Sequence, residues 1–137
     1  MAKIYNFSEM TKKYRIFIAH IWQYDPYYNT IVNWINDANL NWEKTSRPNE
    51  DPIIKRSGNI LLEQMTPAKI VVVAGDLYYR YRFLIDYQIK EAAKMQKIII
   101  GVKPCDYPNI PAILEEKATV IVEWNQQALI DALKTYG

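Results

Sequence analysis

Hydrophobic residues fall along this chain in two patterns: short β-rich runs that are apolar on both faces, and longer stretches that are apolar at helical spacing. Tyr14-Arg15-Ile16-Phe17-Ile18-Ala19 is the first short run, and a strand covered on both sides has this composition. It stops at His20. Asp25-Pro26 supplies an N-cap and a first-turn proline. From there Tyr27, Ile31, Trp34, Ile35 and Ala38 recur at helical spacing and predict a helix at about 26–38. Leu40 to Glu43 reads as a short edge strand, and Lys44 to Pro52 as loop with two prolines. Asp51-Pro52 offers a second helix start that Gly58 interrupts, and Ser57 is an alternative N-cap for Asn59 to Met65.

Lys69 to Ala74 is the strongest strand signal and reads as central and buried. Gly75-Asp76 is expected to turn the backbone. A helix at about 82–95 presents Leu84, Ile85, Ile89, Ala92 and Ala93 to the core, and Lys97 to Val102 forms a further buried strand. Pro104, Pro108 and Pro111 mark a loop with at most a short helix. Ala118 to Val122 is a last strand, and Asn125 caps a final helix through Thr135. Strand and helix in alternation with short connections predict an α/β fold: five parallel strands in flavodoxin-like order 2-1-3-4-5, with helices on both faces. The expected organisation is an N-terminal extension, 1–13, and one domain, 14–137.

Composition narrows the function classes. With 137 residues, half of them hydrophobic and 13% aromatic, the chain suits one domain with a real core. A formal charge of +2 does not by itself imply nucleic acid. No apolar run approaches the roughly 20 residues needed to span a bilayer, and the first residues lack a signal-peptide core. The single cysteine, Cys105, precludes an intrachain disulfide and fits a reducing cytoplasm. One histidine and one cysteine argue against a protein-built metal site.

In such a sheet, ligands bind beyond the carboxyl ends of the strands near the point where strand order reverses. That edge should gather His20 and Trp22, Gly75 to Arg82, and the loop after Val102. No G-x-G-x-x-G or Walker A loop is present. No serine sits in a nucleophile elbow, and the paired acids of a receiver domain are missing.

Several segments taken together resemble the bacterial TIR-like domains of Thoeris antiphage systems, the ThsB family. Phe17-Ile18-Ala19-His20 with Trp22-Gln23-Tyr24-Asp25 resembles "FISHSWxYD", and Arg47 to Pro52 resembles "VPExDP". Ala74-Gly75 and Tyr78 to Ile89 resemble "AGMYxxYSxWIxYEI", Ile98 to Pro104 "PIIGVKP", and Val122 to Asn125 "VGWN". The resemblance implies a TIR fold that takes NAD as substrate without a metal and breaks the bond between nicotinamide and ribose. The product would be a cyclic ADP-ribose isomer, or histidine-ADP-ribose with histidine as acceptor. This diffusible signal would activate a separate ThsA effector in the cytoplasm. Homo-oligomerisation is a further implied partnership; membrane and nucleic acid are not.

The same alignment sets Gln88 at the family's catalytic glutamate. Glutamine keeps the shape and can bond a ribose hydroxyl, but it lacks the negative charge. Either it is an isosteric change that traps ligand in an otherwise active enzyme, or it marks a chain that binds without cleaving. Without the family pattern, Gln88 reads as a solvent-facing helix residue. The implied ligand contacts are His20, Trp22, Arg47, Tyr78, Tyr81 and Leu84. His20 also suits a strand cap, Trp22 also suits packing on the first helix, and Arg47 is either a pyrophosphate ligand or an ordinary surface arginine. The Tyr78, Tyr79, Tyr81, Tyr87, Arg80 and Arg82 cluster fits a stacking rim or an oligomer interface. Leu84 and Cys105 stand where relatives carry tryptophan. Two other classes remain: a non-enzymatic TIR-type interaction module, and a nucleotide- or nucleic-acid-binding domain without cleavage chemistry.

Overall fold

The computed structural model describes residues 12–49 and 57–137. The Asp51-Pro52 helix start and nearly all of the 1–13 extension lie outside the described residues. Five strands form one sheet: β1 (Tyr14–Ile18), β2 (Trp42–Lys44), β3 (Ile70–Ala74), β4 (Ile98–Val102) and β5 (Val120–Val122). The order is β2-β1-β3-β4-β5 and every pair is parallel. The expected fold class and topology are therefore those observed. Strand order reverses between β1 and β3, whose register pairs Phe17 with Val71.

Six helices complete the chain: α1 (Pro26–Asp37), α2 (Ser57–Met65), α3 (Gly75–Arg80), α4 (Arg82–Lys94), α5 (Ala112–Lys117) and α6 (Gln126–Tyr136). Right-handed crossovers place α1 with α6 on one face, and α2, α4 and α5 in series on the other. The caps follow the sequence. Asp25 accepts from the backbone N–H groups of Tyr27 and Tyr28, and Asn125 from that of Ala128. Asn39 and Gln96, just beyond α1 and α4, take positive φ of 57° and 58° and stop those helices in the left-handed manner.

One expectation fails. Gly75-Asp76 does not turn the chain but opens α3, a helix directly continuous with β3. Asp76 stands in its first turn, where a negative charge suits the helix dipole. A helix of six residues is too short to show a hydrophobic period.

The sheet is buried on both faces, with Ile16, Phe17, Ile18, Val71, Val72, Val73 and Ile100 fully enclosed. Ile31, Ile35, Ile85, Ile89, Leu129 and Leu133 close on it from the helices. Each such side chain contributes about 1.5–3 kcal/mol relative to exposure. Gly101 lets α5 sit close to β4, because a Cβ there would lie 2.8 Å from Leu114 Cγ. Leu114 is itself fully buried and has nowhere to yield. Gly101→Ala should therefore lower stability by about 1–3 kcal/mol through overpacking, read as a lower urea midpoint at unchanged slope.

Candidate functional site

At the carboxyl end of β1 the chain leaves the sheet through Ala19 and His20. Ala19 N–H still donates to Val72 O at 2.8 Å, but the next peptide has no strand beside it. Gln88 from α4 takes the strand's place. Its Oε1 accepts from His20 N–H at 3.0 Å, and its Nε2 donates to His20 O at 2.8 Å and to Leu84 O at 3.1 Å. Gln88 is 0% exposed, so the solvent-facing reading of this residue does not hold. It lies on the same buried stripe as Ile85, Ile89 and Ala92.

Gln64 on α2 repeats the arrangement at the end of β2. Its Oε1 accepts from Arg47 N–H at 2.8 Å, and its Nε2 donates to Arg47 O at 3.1 Å. Those two bonds fix which end of the Gln64 amide is oxygen, and that oxygen also lies 2.8 Å from His20 Nε2. The neutral imidazole can donate to that oxygen from Nε2 or to Ile21 O from Nδ1, but not to both at once. Its Nδ1 lies 3.2 Å from Ile21 O. Burial holds the imidazole below its ordinary pKa, opposed by the bonds to Gln64 and Ile21. The ring is 1% exposed and is enclosed by Phe17, Tyr28 and Trp22, the last edge-on at 4.8 Å. His20 thus lies against backbone as the strand-cap reading expects, and Trp22 packs on the His20 ring.

The other candidates form the rim. Tyr81 joins α3 to α4, and its hydroxyl accepts from Gln23 Nε2 at 3.0 Å. Leu84 is half-buried against the core, one turn before Gln88. Arg47 is exposed and lines a cleft of about 430 Å³ with Lys44, Ser46, Pro48 and Asn49. Tyr78 turns toward Tyr79 and Arg82, the guanidinium lying 6.0 Å from its ring centre. Among the described residues no hydrogen bond or ring contact joins Tyr78 to the His20 network.

Gly75 to Arg82 and the loop after Val102 meet at this edge as expected, through an Asp76 contact that the sequence did not reveal. Asp76 is fully buried, and its carboxylate accepts from Cys105 N–H and Asp106 N–H, each at 3.0 Å. This fastens the loop after β4 beside α3. The Tyr27 hydroxyl donates to Asp106, which holds the phenol protonated. Tyr79 donates to Asn109 O at 2.6 Å and stacks on Tyr107. Asp76, Cys105 and Asp106 bring potential ligand atoms within 4.8 Å of one another, but both Asp76 oxygens are engaged by backbone. Desolvation first, then the neighbouring carboxylates, push the Cys105 thiol up to about 11, so at neutral pH it is not a thiolate nucleophile. Gln64 carried a legible signal: it is a polar residue on the apolar stripe of Ile60, Leu61 and Met65.

No protein-family model matches the chain, and no curated protein matches it. Among solved structures it is similar to the Clostridium botulinum CMP N-glycosidase BcmB. The TM-score is 0.57 at 14% identity, covering 88% of this chain and 98% of that one. At this identity the likeness shows the fold. No helix among the described residues is long and apolar enough to cross a membrane.

Proposed function

We propose that the carboxyl edge of this sheet holds a nucleotide with its N-glycosidic bond near α4, and that NAD is the nucleotide. The observation that carries the reading is the placement of position 88 beside the end of β1 at the strand-order reversal, in a fold shared with a CMP N-glycosidase. Leaving nicotinamide departs as a neutral group, so the step asks mainly for stabilisation of an oxocarbenium-like ribose. A carboxylate and hydrogen bonds to ribose hydroxyls supply it. With glutamate at 88 the domain would release nicotinamide and pass ADP-ribose to itself or to histidine. The product would signal to a ThsA effector in cytoplasmic antiphage defence. Trp22, Tyr81, Leu84, Tyr78 and Arg47 would shape the base and phosphate rim. As it stands the chain would bind NAD and turn it over slowly, since losing one such electrostatic group costs on the order of 10²–10³ in rate.

The test is incubation of this chain and Gln88→Glu with NAD and free histidine, and in parallel with CMP, with products identified by mass. Nicotinamide release by the glutamate form alone supports the reading, and the accompanying mass names the signal. Release of cytosine instead would move the substrate to a mononucleotide. A second reading, a module that binds without cleaving, is favoured by the Gln88 amide, which is fully enclosed and has both ends bonded within the chain. Inertness of both forms, with NAD still bound, would select it.

A further inference from the structure

We infer that Gln88 is a positioning residue, matched as an amide to the peptide of His20, and that Gln64 repeats the device on Arg47 so that the His20 ring joins both clamps into one network. The function of that network rests on reading the carboxyl edge as a nucleotide site; its existence does not.

A peptide leaving a strand carries an N–H and a C=O with no neighbouring strand, and a buried pair of this kind must find partners. A primary amide offers a donor and an acceptor side by side at any pH, whereas a carboxyl does so only when protonated. Gln88 and Gln64 both present this pair to the residue two positions beyond the end of β1 and three beyond the end of β2. The two clamps come from different helices, α4 and α2, and are independent of each other. The imidazole then links them, because Gln64 Oε1 accepts from Arg47 N–H and lies 2.8 Å from His20 Nε2. Among the described residues no buried side-chain polar atom lacks a partner. One continuous set of contacts thus runs from Leu84 O through Gln88, His20 and Gln64 to Arg47. It fixes the loops after the two strands on one side of the reversal point.

A carboxylate at 88 does not fit this frame. It could accept from His20 N–H, but it would face the carbonyl oxygens of His20 and Leu84 with no proton to give. A neutral carboxyl would restore one donor and one acceptor. Glutamate here should therefore hold its proton to higher pH than the usual value of about 4.3. The titratable groups facing the network are His20 itself, Tyr28 and Lys44, whose charge acts on His20 from β2. The parent chain measured in parallel separates their titration from that of position 88.

The experiment is nuclear magnetic resonance without nucleotide. In the parent chain the Gln88 side-chain NH2 should exchange slowly and show contacts to the His20 amide. Gln88→Met should lower the protection factor of the His20 amide by about tenfold or more, as expected for losing one buried hydrogen bond. Gln88→Glu keeps the acceptor for that amide and at pH 7–8 loses the donor to His20 O, which should shift the His20 carbonyl carbon. Both variants should also shift the imidazole signal, which is unambiguous because His20 is the only histidine. Acidification should return Gln88→Glu, but not Gln88→Met, to the parent pattern. A rapidly exchanging Gln88 NH2 in the parent chain would overturn the inference. So would parent-like protection of the His20 amide in Gln88→Met. If the clamp is present while Gln88→Glu releases no nicotinamide, the cleavage reading alone fails. If Gln88→Glu releases nicotinamide while Gln88→Met leaves the His20 amide fully protected, the clamp alone fails.

Discussion

Asp76→Asn is expected to destabilise the chain by about 2–4 kcal/mol, although it conserves the shape of the side chain. Each Asp76 oxygen now receives one backbone N–H, from Cys105 and from Asp106, inside a fully buried site. Asparagine keeps one acceptor and turns an NH2 donor toward the other N–H. One buried donor then loses its partner and meets another donor, and the surviving bond is no longer charge-assisted. Asp76→Ala removes both bonds without adding the clash, so its loss should be of similar size. The measurement is the urea midpoint of each variant. Amide exchange at Cys105 and Asp106 separates a loss confined to the loop after β4 from a global one. The same loop holds Asp106 against Tyr27 and Tyr107 against Tyr79, so it should loosen as a unit.

How much of this was legible in the sequence depends on period. The strands and the long helices were readable, because β3 and β4 are near-continuous β-branched runs and α1, α4 and α6 repeat apolar residues over three or more turns. Their alternation dictated the strand order. α3 was missed because six residues beginning with glycine show no period and follow the strand without a break. Within the site, His20 was reached from its place at the carboxyl edge of the sheet and position 88 through a resemblance, and the two lie beside each other. What Gln88 does there was not legible. Helix spacing alone sets it on the buried stripe with Ile85, Ile89 and Ala92, and no pattern in one sequence says which backbone groups a buried amide will meet. Asp76 and Gln64 share that difficulty. Each is a polar residue on an apolar face whose partners lie 17 to 44 positions away.

Phe17→Ala should have the largest effect of any single truncation near the site, about 3–5 kcal/mol. Phe17 is fully buried in β1, the strand with neighbours on both sides next to the reversal point. Its ring also lies 5.6 Å from the His20 ring at an interplanar angle of 46°. Truncation therefore leaves a cavity in the sheet core and removes one wall of the enclosure around the imidazole. Two readouts separate these consequences. The urea midpoint reports the cavity, and the His20 imidazole resonance reports the enclosure, since water admitted beside the ring should relieve the burial that holds its pKa down. The titration midpoint of His20 should accordingly rise in Phe17→Ala. A comparable truncation on the far side of the core, Leu133→Ala, should lower stability by about 2–5 kcal/mol and leave that midpoint unchanged. Were both variants to move His20 equally, the imidazole would be reporting general loosening of the fold and not the wall that Phe17 provides.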